Sequence, residues 1–131
     1  MKLLLLLIIS LSFLACSKSN PIPKETQTPS YRLNPTYLKG LDFKGEEVIS
    51  IFKDGSFYYV RKDGKAMKTL TYDNKADPFS DGLARTKING KIGFFNSNLE
   101  IILKPIYDFA FPFHKGKAEI CTGCKEKKDG E

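Results

Sequence analysis

The chain has 131 residues, with 21 Lys or Arg against 15 Asp or Glu and a formal charge of +6. Without a 15-residue leader, 116 residues remain, which is room for one small domain and excludes a multidomain enzyme. Losing Lys2 with the leader lowers the formal charge only to +5. Such a basic surface favours anionic headgroups or acidic envelope polymers; nucleic acid is not an expected partner, because an exported chain seldom meets any.

At the amino terminus, Lys2 precedes an apolar run that begins at Leu3 and ends at Phe13-Leu14-Ala15-Cys16. A run of about a dozen residues fits a signal-peptide core, whereas a helix spanning a bilayer wants roughly 20. Phe13-Leu14-Ala15-Cys16 resembles the lipobox of bacterial lipoproteins, with Phe13 where that motif usually has Leu. The resemblance implies that residues 1–15 are removed and that Cys16 carries a thioether diacylglyceryl group and an N-acyl chain. Two or more chains anchor stably where one binds marginally, at about 0.8 kcal/mol per buried CH₂. Ser17, in place of the Asp that goes with inner-membrane retention, favours the outer membrane. An ordinary signal peptide with an incidental Cys16 is the competing reading.

Residues 16–30 read as a lipidated tether. From Ser17 to Ser30 there are three prolines and one aliphatic residue, Ile22, too little apolar surface to order the segment. Its extended reach, at about 3.1 Å per residue, is roughly 40 Å.

Residues 31–131 are expected to form one all-β domain. Val48 to Phe52 reads as a strand, Asp54-Gly55 as a turn, Phe57 to Val60 as a second strand, and Asp63-Gly64 as another turn. Leu83–Ile88 meets Lys91–Phe95 across Asn89-Gly90, where a type I′ turn needs positive φ at both central residues. Glu100 to Leu103 is a further strand, stopped by Pro105, and Lys117 to Cys121 is the last. No helical periodicity is expected after the signal. The closing stretch Lys125-Glu126-Lys127-Lys128-Asp129-Gly130-Glu131 reads as a solvated end.

The chain also repeats itself. Asp54-Gly55 returns as Asn89-Gly90, Tyr59 as Phe94, Asp63 as Asn98, and Tyr72-Asp73 as Tyr107-Asp108, all 35 residues apart. Pro78-Phe79 returns as Pro112-Phe113, Gly82 as Gly116 and Ala84 as Ala118, 34 apart. Such a period means that each unit buries its apolar face against the next. The units are placed at about 54–88 and 89–121.

Asp77-Pro78-Phe79-Ser80-Asp81-Gly82-Leu83-Ala84-Arg85, then Asn89-Gly90-Lys91-Ile92-Gly93-Phe94-Phe95, then Lys104-Pro105-Ile106-Tyr107-Asp108, resemble the WG repeat, also called the KWG repeat. Ile92 stands where the name-giving tryptophan belongs, and the earlier copy has Phe57-Tyr58 there, without the glycine. The resemblance implies tandem β-hairpin repeats that act as a binding or scaffold module, with no catalytic residues to carry over. Stacked repeats usually need about three units. Either two suffice here, or something completes them, or the chain is the front of a longer product.

Candidate site residues are few. Tyr72, Phe79, Tyr107 and Phe113 recur at the repeat spacing, either as a glycan- or peptide-binding surface or as the buried seam between units. Cys121-Thr122-Gly123-Cys124 reads as a local disulfide, with half a metal site and a redox pair as alternatives. His114 is a lone loop histidine, and Asp73 and Asp108 read as turn-capping residues. No hydrolase elbow, phosphate loop, zinc motif or dinucleotide fingerprint occurs, so no catalytic residue, metal or cofactor is assigned and no enzyme activity is expected. The reading is a lipid-anchored envelope binding or scaffold module whose partner is an envelope protein or an acidic glycan. A thiol-active protein using Cys121 and Cys124, and a truncated repeat protein without independent function, are the alternatives.

Overall fold

The computed structural model describes residues 30–125. The signal peptide, Cys16, most of the tether and the charged end beyond Lys125 lie outside them. Two short elements open the domain, β1 (Ser30–Arg32) and α1 (Pro35–Lys39). The first sheet continues with β2 (Val48–Lys53), β3 (Ser56–Arg61) and β4 (Lys65–Thr69), followed by a small hairpin, β5 (Thr71–Tyr72) and β6 (Lys75–Ala76). The second sheet is β7 (Leu83–Ile88), β8 (Lys91–Asn96) and β9 (Ile101–Tyr107), and the chain closes with β10 (Phe109–Ala110) and β11 (Ile120–Cys121). All pairings are antiparallel, in the orders β1-β4-β3-β2 and β7-β8-β9, with β5–β6 and β10–β11 as separate pairs.

Over the described residues the fold is all-β apart from one short helix. Asn34 caps α1 by accepting from the Thr36 amide at 2.8 Å, and Pro35 occupies the first turn, where its missing N–H costs nothing. Five residues are too few to show a period, so the sequence carries no helical signal there.

The 35-residue period is built into the strands. Both ends of β2 and β7 are 35 residues apart, at Val48 and Leu83 and at Lys53 and Ile88, and β3 and β8 match in the same way. Asp54-Gly55 and Asn89-Gly90 both adopt two successive positive φ values (49° and 74°, 49° and 78°), the conformation of a type I′ turn. The units placed at 54 and 89 therefore begin on hairpin turns, whereas the repeated strands begin at Val48 and Leu83.

Three further expectations are corrected. Ser30, assigned to the tether, is the first residue of β1 and pairs with Met67. Pro105 does not stop its strand. Ile92 pairs with Tyr107 and Phe94 with Leu103, so Gly93 alone lies opposite Lys104, Pro105 and Ile106. β9 is an edge strand, and a bulge on an edge tolerates a residue that cannot donate to the ladder. The strand expected from Lys117 to Cys121 is confined to Ile120–Cys121, because Lys117 closes a tight turn back onto His114 about Lys115-Gly116.

The core runs as three successive layers. Leu33, Val60 and Ala66 lie under α1 with Leu38, Phe43 and Ile51 packed around them. Met67, Ala84, Phe95 and Leu99 join the two sheets, with Val48, Tyr59, Phe79 and Ile101 at their margin. Ile92, Phe94 and Ala110 form the third layer with Leu103, Tyr107, Phe113 and Ala118. Phe94 and Phe95 are fully buried on opposite faces of β8, so one strand supplies two layers. Each such ring stabilises the fold by roughly 1.5–3 kcal/mol.

Candidate functional site

The junction between the repeats is held by one buried ion pair. Asp77, fully buried, accepts from Arg85 Nε at 3.0 Å, from Arg85 Nη2 at 2.5 Å and from the Arg85 backbone amide at 2.8 Å. The remaining Arg85 nitrogen, Nη1, donates to the Ala110 carbonyl at 2.8 Å, which ties the clamp to the third core layer. Tyr59 of the first sheet donates its hydroxyl to the Asp77 carbonyl at 2.8 Å. Burial, reinforced by the Asp77 carboxylate, raises the Tyr59 hydroxyl above its ordinary value, so it remains a neutral donor.

Above this junction lies an open cleft of about 440 Å³. Glu46 and Glu47 reach it from the loop before β2, Tyr59 and Arg61 from β3, Phe79 from the loop before β7, and Ser97 and Asn98 from the β8–β9 turn. Tyr59 and Phe79 pack tilted with ring centroids 4.6 Å apart, and Phe95 meets Phe79 edge-on at 5.7 Å, giving the cleft an aromatic floor. Arg61 donates to the Asn98 carbonyl at 3.0 Å and so bridges the two repeats across the rim. Glu47 is paired with Lys62 at 2.9 Å. The cleft can hold a polar group against an aromatic face, and its lining residues include no serine–histidine or cysteine–histidine pair for nucleophilic chemistry.

The aromatics singled out by their period do not converge. Phe79 and Phe113 sit at successive seams, Phe79 on Phe95 and Phe113 on Phe94 at 4.9 Å. Tyr107 pairs across the ladder with Ile92, while Tyr72, its repeat partner, is 53% exposed. Phe79 is the one of the four that reaches the cleft. His114 is exposed, and its backbone closes the turn onto Lys117. Cys16 lies outside the described residues. Among those residues, no group of three or more His, Cys, Asp or Glu is placed to hold a metal ion, and no helix is long and apolar enough to cross a membrane.

Cys121 and Cys124 are joined as a disulfide with Cα atoms 5.9 Å apart. A four-residue loop gains less than the roughly 3 kcal/mol of a 15-residue one, so the link pins a turn. Asp108 braces the same turn, accepting from Lys91 and from the Gly123 amide. The Lys91 bond, then the Gly123 bond, holds the Asp108 carboxyl below its ordinary value. A depressed carboxylate stabilises above its unfolded value and loses that contribution as pH falls through the folded one. The protection of the Gly123 amide, its exchange measured against the intrinsic rate at each pH, is therefore expected to fall on acidification into the lower carboxylate range and to stay level above it. Protection at Gly123 that ignores this range would contradict the brace.

Residues 69–91 and 92–123 each match the family described as WG containing repeat. Residues 69–123 carry WG repeats. The matched stretches hold β5 to β11, and the first sheet, β2 to β4, precedes them. The geometry explains the difference. In the WG repeat proper, a methyl on Gly93 would lie 2.7 Å from both the Leu103 carbonyl and the Pro105 nitrogen, so this glycine is required by the bulge that Pro105 makes. In the first sheet Tyr58 and Leu70 occupy those two positions, and β3 pairs with β4 without a bulge, Phe57 opposite Thr69 and Tyr58 opposite Lys68. The glycine and the proline of the repeat are thus lost together. Ile92, in the tryptophan's place, is buried beside Tyr107 and fills core space. No curated protein and no solved structure matches the chain.

Sequence reasoning missed the cleft rim, Glu46, Glu47, Arg61, Ser97 and Asn98. Asn98 did carry a signal, as the repeat match of Asp63, but nothing in the sequence joined it to Glu46 some 50 residues earlier.

Proposed function

We propose that this chain is a lipid-anchored, non-catalytic binding module of a bacterial envelope, with the cleft between its repeats as the ligand-holding surface. The observation that carries the reading is the convergence of both repeats on one concave site, with a buried clamp beneath it, an aromatic floor and a polar rim. Preformed clefts of a few hundred Å³ with few, fixed polar groups are the usual form of a binding site. Glu46 and Glu47 at the rim favour a neutral or cationic group on an envelope protein or glycan over an acidic one at this position. The lipobox resemblance at Cys16 and the tether that follows support display at a membrane surface, the outer membrane being favoured.

A photoreactive side chain at Ser97, exposed at the rim, tests the reading in intact cells producing the full chain. The expected result is a discrete adduct that the same probe at Ile102, on the outer strand β9, does not give. No adduct from Ser97 beyond that control overturns the cleft as a binding surface. In the same cells, Cys16→Ser is expected to release most of the protein from the membrane fraction. Unchanged membrane retention overturns the anchor.

A further inference from the structure

We propose that the end of the domain bearing the Asp54-Gly55 turn is a lipid-headgroup interface, lying on an anionic phospholipid surface with Phe52 and Phe57 dipped into it. This takes its orientation from the anchor reading, while the headgroup contact stands on side chains of its own.

Phe52 is 62% exposed although it packs, tilted, on the half-buried Phe57 at 4.8 Å. A phenylalanine so exposed at a hairpin tip is misplaced in water, and Phe57 extends its apolar surface. Around the other side of the same tip, Lys53 Nζ lies 5.9 Å from the ring of Tyr37, itself 40% exposed. Rings with a polar edge beside long basic side chains are the composition of a membrane–water boundary.

Charge agrees with this. Beside Phe57 runs a groove of about 300 Å³ lined by Ser56, Lys68, Thr71 and Lys87, with no acidic residue in its lining. Lys53 is already paired with Asp54, so Lys68 and Lys87 supply the positive potential, one from each sheet. Each lysine close to an anionic leaflet strengthens partitioning by about fivefold.

The chain direction places the anchor on this side. β1 runs antiparallel to β4, with Ser30 opposite Met67 and Arg32 opposite Lys65, and β4 runs toward Thr69, which faces Phe57. The chain thus enters the sheet at Ser30 from the end that carries the Asp54-Gly55 turn. A lipid on Cys16, within about 40 Å of extended chain, would draw that end toward the bilayer first.

The sequence contains no tryptophan, so Phe52→Trp is a single reporter in the full chain. On vesicles of phosphatidylcholine with phosphatidylglycerol, its emission is expected to shift to the blue and to be quenched by lipids brominated near the headgroup. Ile102→Trp, 50% exposed on β9, is expected to be quenched little. Lys68→Glu with Lys87→Glu, both at exposed positions, is expected to weaken the quenching of the Phe52→Trp reporter at least fivefold, with circular dichroism unchanged. Equal quenching at both reporter positions, none at position 52, or no effect of charge reversal overturns the interface. The anchor is read separately by flotation of the Ile102→Trp protein with and without Cys16→Ser. Flotation without quenching at position 52 keeps the anchor and overturns the interface, whereas quenching that survives Cys16→Ser keeps the interface by itself.

Discussion

Asp77→Ala is expected to destabilise the protein by about 3–5 kcal/mol, the cost of leaving one partner of a buried ion pair unpaired. Asp77 is fully buried and Arg85 is only 7% exposed, so water cannot replace the lost carboxylate. The guanidinium would keep its bond to the Ala110 carbonyl but lose both side-chain bonds to Asp77, and the Arg85 amide would lose its acceptor. Small domains are stable by only about 5–15 kcal/mol in all. The double variant Asp77→Leu, Arg85→Met is expected to recover much of the loss, since an apolar pair of similar volume often replaces a buried ion pair at little cost. Urea midpoints at constant slope measure both. A loss below about 1 kcal/mol for Asp77→Ala, well short of the buried-pair range, would mean that the clamp does not hold the junction.

Gly93→Ala is expected to cost about 3 kcal/mol, the upper end of the usual overpacking range. The added methyl would meet the backbone of Leu103 and Pro105 at 2.7–2.9 Å, and backbone cannot rotate aside as a side chain can. Gly90→Ala is the informative comparison. There the methyl meets nothing within 4 Å, but φ is +78°, so the cost is conformational and about 1–2 kcal/mol. Thermal melts should therefore rank Gly93→Ala as the more damaging, with the excess appearing as faster exchange in β9 around the bulge. Equal effects at the two positions would mean that the Pro105 bulge can move away from β8 and is not what demands the glycine.

These two positions also show what could be read along the chain. Asn89-Gly90 between apolar strands announced its hairpin, because few residue pairs accept two positive φ values, and β7 and β8 lie where that turn placed them. Pro105 misled because its missing N–H argues for a strand end, and nothing local says that the missing donor falls in an edge bulge. Its match to Gly93 is a contact across two strands, invisible to a reading along one. β1 and α1 went unseen for want of length, since three and five residues carry no period. Asp77 and Arg85 stood in the quoted motif, yet only the turn at Asp81-Gly82 brings them face to face. The cleft was least legible, because its rim comes from loops whose residues follow no period and meet only once the two sheets are joined.

The Tyr59–Phe79–Phe95 seam and the Asp77–Arg85 clamp join the two sheets, and they are expected to make them one cooperative body on which the cleft depends. Native-state hydrogen exchange across a low-urea series tests this by comparing the amides of Val60 in β3 and Phe95 in β8. Both are expected to open with the same free energy and the same urea dependence, and Asp77→Ala to lower the two together. Separate opening energies, with β3 unfolding while β8 stays protected, would contradict that unity and leave two independent sheets in place of one binding module.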